Sequence, residues 1–190
     1  MKQTIILFLI IIQFISCNKR TKEQKIEENC FVVLYSVSYV ADVYDKRNIH
    51  LTQLLNEIKN GLEIDKENIK EIEKLSKEIN KRVKVSLNKL NDKYKVNENE
   101  EIFKASIKYL NKINKLEDKI PSFIKELSEN IPLTDFKLND SVREYAIEVK
   151  KNYETYHLAM NNYYKSNEMS DLKLDSIENA VEEKTKQIKY

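Results

Sequence analysis

Between residues 21 and 60, apolar side chains recur in alternating steps of four and three. The stripe reads Ile26, Cys30, Val33, Val37, Val40, Tyr44, Arg47, Leu51, Leu54 and Ile58. That period is helical and predicts one long helix. Its first half is also apolar off the stripe, at Phe31, Val32, Leu34, Tyr35, Tyr39 and Val43. A helix apolar all round is a central one. The same residues have β propensity, so a buried strand over 31–40 is the competing reading; the unbroken steps favour the helix. The polar run Asp45 to Asn48 marks the place for a kink. Gly61 can take the left-handed cap that ends the helix, and Asp65 can cap the next one.

The second stripe, over about Lys66 to Lys93, is Ile69, Ile72, Ser76, Ile79, Val83, Ser86 and Leu90. Leu75 and Leu87 widen it beyond a two-per-heptad seam, which favours a multi-helix core over a two-stranded coiled coil. Glu73 with Lys77 and Glu78 with Arg82 have i,i+4 spacing and mark the expected wet face.

Asn97 and the acidic residues after it open a third helix. Its stripe is Ile102, Ser106, Tyr109, Ile113, Leu116, Ile120, Phe123 and Leu127. Pro121 lies inside the stripe and predicts a kink, with a clean break as the alternative. Ile131-Pro-Leu-Thr-Asp reads as a connection. A fourth helix over about Asn139 to Lys165 carries Val142, Tyr145, Val149, Tyr153, Tyr156, Met160 and Tyr163. Ser170 resembles an N-cap, and Leu174, Ile177, Val181 and Ile188 give a shorter last helix. The predicted fold is all-α: an antiparallel bundle of four long helices, joined by short loops, plus a shorter C-terminal helix.

Composition agrees. The chain has 190 residues with one glycine, two prolines and no tryptophan, and 34% of it is charged. Strands and tight turns consume glycine and proline, whereas helices avoid them. Lysine and arginine nearly balance the acids, at net +2, so no field points to nucleic acid or an acidic ligand.

The first residues, MKQTIILFLIIIQFISC, have another character. Lys2 is a positive start, and Thr4 to Ile15 form an apolar run broken only by Gln13. A bilayer-spanning helix needs about 20 apolar residues, so this run has the length of a removable secretory segment. Ser16 and Cys17 then stand at the expected cut. Phe14-Ile15-Ser16-Cys17 resembles the lipobox of bacterial lipoproteins, with Phe14 where leucine is commonest. The resemblance covers only this stretch. It implies a diacylglyceryl thioether on Cys17, cleavage before it, and acylation, with a fatty acid such as palmitate, of the new amine. It also implies anchoring of the chain in the cell envelope. Asn18, in place of the aspartate that retains such proteins at the inner membrane, leans toward the outer membrane of a Gram-negative cell. The alternatives are an uncleaved signal anchor and an ordinary signal peptide that contains a cysteine. The expected division is a signal peptide over 1–16, a polar tether over 17–25 and one helical domain over 26–190.

Candidate chemistry is sparse. His50 and His157 fall on different predicted helices, and neither belongs to a HExxH, CxxC or paired Glu-x-x-His pattern. A single glycine cannot build a phosphate loop. No catalytic residue, metal ligand or cofactor is therefore assigned. With Cys17 lipidated, Cys30 has no partner in its own chain and reads as a small buried apolar residue. The tyrosines stand out: eleven in all, with Tyr145, Tyr153, Tyr156, Tyr163 and Tyr164 clustered late. Tyr153 lies on the stripe and Tyr164 beside it, so Tyr164 is the candidate partner contact. The functional expectation is a non-enzymatic, lipid-anchored envelope protein that acts by binding or as a structural component. The mature part resembles the small all-helical envelope lipoproteins of unknown function. The alternative is an immunity or inhibitor lipoprotein that binds a toxin or lytic enzyme. The expected partners are the membrane, through acyl chains on Cys17, and an unidentified protein.

Overall fold

The computed structural model describes residues 20–96, 100–128 and 137–187. Among the described residues six helices are formed: α1 (Lys22–Lys59), α2 (Lys66–Tyr94), α3 (Glu101–Glu117), α4 (Ile120–Ser128), α5 (Lys137–Ser166) and α6 (Asp171–Lys186). No strand occurs among the described residues. The expected caps at Asn97, the connection Ile131 to Asp135, Ile188 and the whole segment 1–19, with Cys17, lie outside them.

Hydrogen bonds mark the ends of the first two helices, at Gly61 and Asp65 as predicted and at Thr21 by a box the periodicity did not show. The Thr21 hydroxyl accepts from the Gln24 N–H at 3.1 Å, and the Gln24 side chain accepts from the Thr21 N–H at 3.0 Å. This reciprocal box satisfies two of the donors that a helix start leaves unpaired. At the other end Gly61 takes φ +66°. Its N–H donates to Ile58 O, and Leu62 N–H donates to Glu57 O. That pair of bonds is the Schellman stop, which calls for glycine at the left-handed position. Asp65 then accepts from Glu67 N–H at 2.8 Å and starts α2. Glu168 repeats the left-handed stop after α5 at φ 50°, without glycine's freedom.

Residues 31–40 are helical, and α1 runs through Asp45 to Asn48 without interruption. Lys22 to Lys25, expected in the polar segment before the helical domain, belong to α1. The third long helix is divided at Asp118 and Lys119 into α3 and α4. Pro121 thus falls in the first turn of α4, where a missing N–H costs little. The stripe keeps its register across the division, since Leu116, Ile120, Phe123 and Leu127 are all buried.

Cross-helix contacts give the topology. Glu28 pairs with Lys93, Ser36 with Ser86, and His50 with Asn68, so α1 and α2 are antiparallel. Lys112 pairs with Glu148 while Tyr109 meets Tyr153 and Tyr156, so α3 and α5 are antiparallel. Lys173 meets Glu23 and Glu27, and Lys184 lies over Phe31 and Tyr35. Helix α6 therefore runs parallel to α1. The core lies among α1–α5, with Val33, Val40, Ile79, Phe103, Leu110 and Ile113 fully enclosed. Ser86 of the α2 stripe faces the backbone of α1. Ser86 Oγ donates to Ser36 O at 2.9 Å across the seam.

Candidate functional site

Three polar and aromatic groups interrupt the apolar core. The first joins α1, α2 and α3. Arg47 occupies a stripe position of α1, and Glu117 is the last residue of α3; they are 1% and 0% exposed. The guanidinium Nη2 donates to Glu117 Oε1. Its Nη1 donates to Asn48 Oδ1 at 2.7 Å, and its Cζ lies 4.7 Å from the centre of the Tyr44 ring. Burial pushes the Glu117 carboxyl upward, and Arg47 opposes that shift. Arg47 Nε, Glu117 Oε2 and Ser76 Oγ, all buried here, make no close hydrogen bond, with the Ser76 hydroxyl near enough to the Glu117 carboxyl to oppose the same shift. Nothing in the periodicity of α1 paired Arg47 with Glu117. The available signal was an arginine on an apolar stripe, which demands a buried acid.

The second group is an aromatic ladder on α1. Phe31 stacks on Tyr35 at 6.1 Å, and Tyr35 stacks on Tyr39 at 5.8 Å. Cations cover it from both neighbours: Lys184 of α6 lies over Phe31 and Tyr35, Lys89 of α2 over Tyr35, and Arg82 of α2 over Tyr39. Arg82 also donates to Tyr39 O at 2.9 Å and to Glu78 at 2.8 Å. The expectation that Glu78 and Arg82 mark a wet face is corrected for Arg82, which is buried. Its long stem crosses the seam and delivers the charge to a ring and a carbonyl.

The third group lies between α3 and α5. Tyr109 stacks on Tyr156 at 6.0 Å and tilts against Tyr153 at 5.5 Å. The exposed His157 stands edge-on to Tyr153 and Tyr156. The burial expected of Tyr153, on the stripe, and the exposure expected of Tyr164, beside it, are both changed. Tyr153 is 43% exposed. Tyr164 is half-buried against the core, and its hydroxyl faces the thiol of Cys30. The reason is geometric. Tyr153 lies about 60° round α5 from Tyr156, at the edge of the buried face, because three residues advance about 300°. Tyr164 sits one residue past Tyr163, where α1 closes over the end of α5. Tyr163 itself donates to Ile26 O at 3.4 Å.

His50 is a tie between helices: Nδ1 stands 2.7 Å from Asn68 Oδ1, and Asn68 Nδ2 donates to His50 O at 3.1 Å. Among the described residues no three His, Cys, Asp or Glu side chains are grouped to hold a metal ion. No helix among them is long and apolar enough to cross a membrane.

Cys30 is free and fully buried, as its stripe position predicts. Burial pushes its thiol from 9.0 up to about 11. It also pushes Tyr163 up to about 12, and Tyr109, Tyr156 and Tyr164 upward. All are acids whose neutral form the fold favours. Their contribution to stability is therefore complete below the unfolded values and is lost as pH rises through the folded ones. Thermal unfolding followed by circular dichroism should show a falling midpoint from about pH 9 upward, with Cys30 alone accounting for on the order of 2 kcal/mol. A flat alkaline profile would contradict this burial. At neutral pH a thiol reagent should label Cys30 slowly in the folded protein and fast in denaturant.

Comparison with family models, with curated proteins and with solved structures finds no match to this chain.

Proposed function

We propose that this is a lipid-anchored cell-envelope protein that acts by binding or as a structural component, without catalysis of its own. The observation that carries the reading is Phe14-Ile15-Ser16-Cys17 at the end of the apolar run Thr4 to Ile15. A single acyl chain holds a protein to a membrane only marginally, whereas two or more hold it firmly. The reading gives the bundle a defined standing place. Four residues separate Cys17 from the end of the Thr21 cap, a reach of at most about 13–14 Å. An anchored bundle would therefore lie with the start of α1 close to the headgroups. Helix caps, a centred core and an aromatic ladder are the features of a rigid spacer or binding body.

The test is Cys17→Ser. It should abolish incorporation of labelled fatty acid and move the protein from the membrane fraction to the soluble fraction. Undiminished labelling of the variant would refute the assignment.

A further inference from the structure

The end of the bundle at which α1 begins carries an apolar pair that the fold leaves in the open. Val96 follows α2 and Leu172 lies in the first turn of α6. At 82% and 83% they are the most exposed large apolar side chains among the described residues. Both belong to the same end. Lys93, one turn before Val96, pairs with Glu28, and Lys173, next to Leu172, pairs with Glu23 and Glu27. Helices α2 and α6 flank one face of α1, since Lys89 and Lys184 both reach Tyr35. Val96 and Leu172 thus stand on either side of the point where the N-terminal segment enters α1. A lone exposed leucine means little. Here the two extreme cases flank the entry of the one segment that carries a membrane signal.

From this we infer that the end of the bundle made by Thr21, Val96 and Leu172 rests on the bilayer that holds the chain, with both apolar side chains entering the headgroup–acyl boundary. The inference builds on the lipid-anchor reading and adds an orientation to it. Charge contributes little to this contact. Glu23 and Glu27 are taken up by Lys173, Glu28 by Lys93 and Arg20, and Asp92 by Lys95. Lys22 lines one cleft with Glu168, and Lys25 and Asp171 add one charge of each sign at this end. With cations and acids nearly balanced, insertion of apolar surface, and not attraction to anionic lipid, holds the face down. The anchor supplies a high local concentration, so a weak contact suffices to orient the body.

The experiment uses the full chain in native membrane vesicles. Val96→Cys, Leu172→Cys and, as a control at the opposite end, Leu62→Cys are each labelled with an environment-sensitive fluorophore. Leu62 is 60% exposed in the turn after α1. Labels at 96 and 172 should show blue-shifted emission and several-fold protection from an aqueous quencher, and the label at 62 should show neither. High salt should leave both signals unchanged. If 96 and 172 are as wet as 62 in protein that pellets with the membrane and carries fatty acid, the orientation is wrong and the anchor stands. Loss of the signals in high salt would overturn insertion in favour of electrostatic contact. If the protein carries no fatty acid and does not pellet, the anchor reading fails and the orientation falls with it.

Discussion

Arg47→Ala is expected to destabilise the bundle by about 3–5 kcal/mol, and Glu117→Ala by a similar amount. Each change leaves the other charge in a site with no access to water. The attraction between the pair is strong in that medium, but so is the cost of having removed both ions from solvent. Three buried polar atoms of this group, Arg47 Nε, Glu117 Oε2 and Ser76 Oγ, make no close hydrogen bond. Glu117 also stands at the C-terminal end of α3, where the helix dipole disfavours a negative charge. Replacing both members with apolar residues, as Arg47→Met with Glu117→Leu, should therefore recover most of the loss or exceed wild-type stability. Urea unfolding of the two single variants and the double variant measures this directly. A double variant as unstable as either single would show that the pair contributes net stability. If the double variant is stable, a loss of cooperativity in its unfolding would identify the pair as a device for setting the register of α1 against α3.

Tyr156→Ala should cost about 3–5 kcal/mol, in the range of large aromatic truncations in cores. Its ring is buried, stacked on Tyr109, and has no room to be replaced by solvent without a cavity. Tyr153→Ala, three residues earlier on the same helix, should cost roughly 0.5–1.5 kcal/mol, the worth of its ring contact with Tyr109. Tyr164→Ala should fall between them, because the ring is half-buried and its hydroxyl faces Cys30. Thermal midpoints of the three variants give the order, at about 2–4 °C per kcal/mol for a chain of this size. Equal losses at positions 153 and 156 would mean that α5 is rotated from the orientation described.

These two sets of variants also separate what was legible along the chain from what was not. The length and ends of α1, the cap at Asp65, the stop at Gly61 and the burial of Cys30 were all readable. Each depends on residues within a few positions of one another: a three-four period, a side chain returning to its own backbone, a glycine free to take positive φ. The stripe of the third helix was readable through Pro121 for the same reason, since burial at every third or fourth position survives a local division of the ladder. The all-α antiparallel bundle then follows from four long stripes and short connections. Tertiary structure alone decided the partners. Arg47 and Glu117 are 70 residues apart, and no local pattern sets one against the other. Arg82 looked like one half of a surface pair with Glu78, but the neighbouring helix put Tyr39 within its reach. Tyr153 is more exposed and Tyr164 more buried than their places on the stripe suggest, because a stripe gives only the centre of a helix's buried face. The width of that face, and which flank is covered, depends on where α1 and α3 come to rest against α5. The same packing set Val96 and Leu172 on one end of the bundle, although 76 positions separate them in the chain.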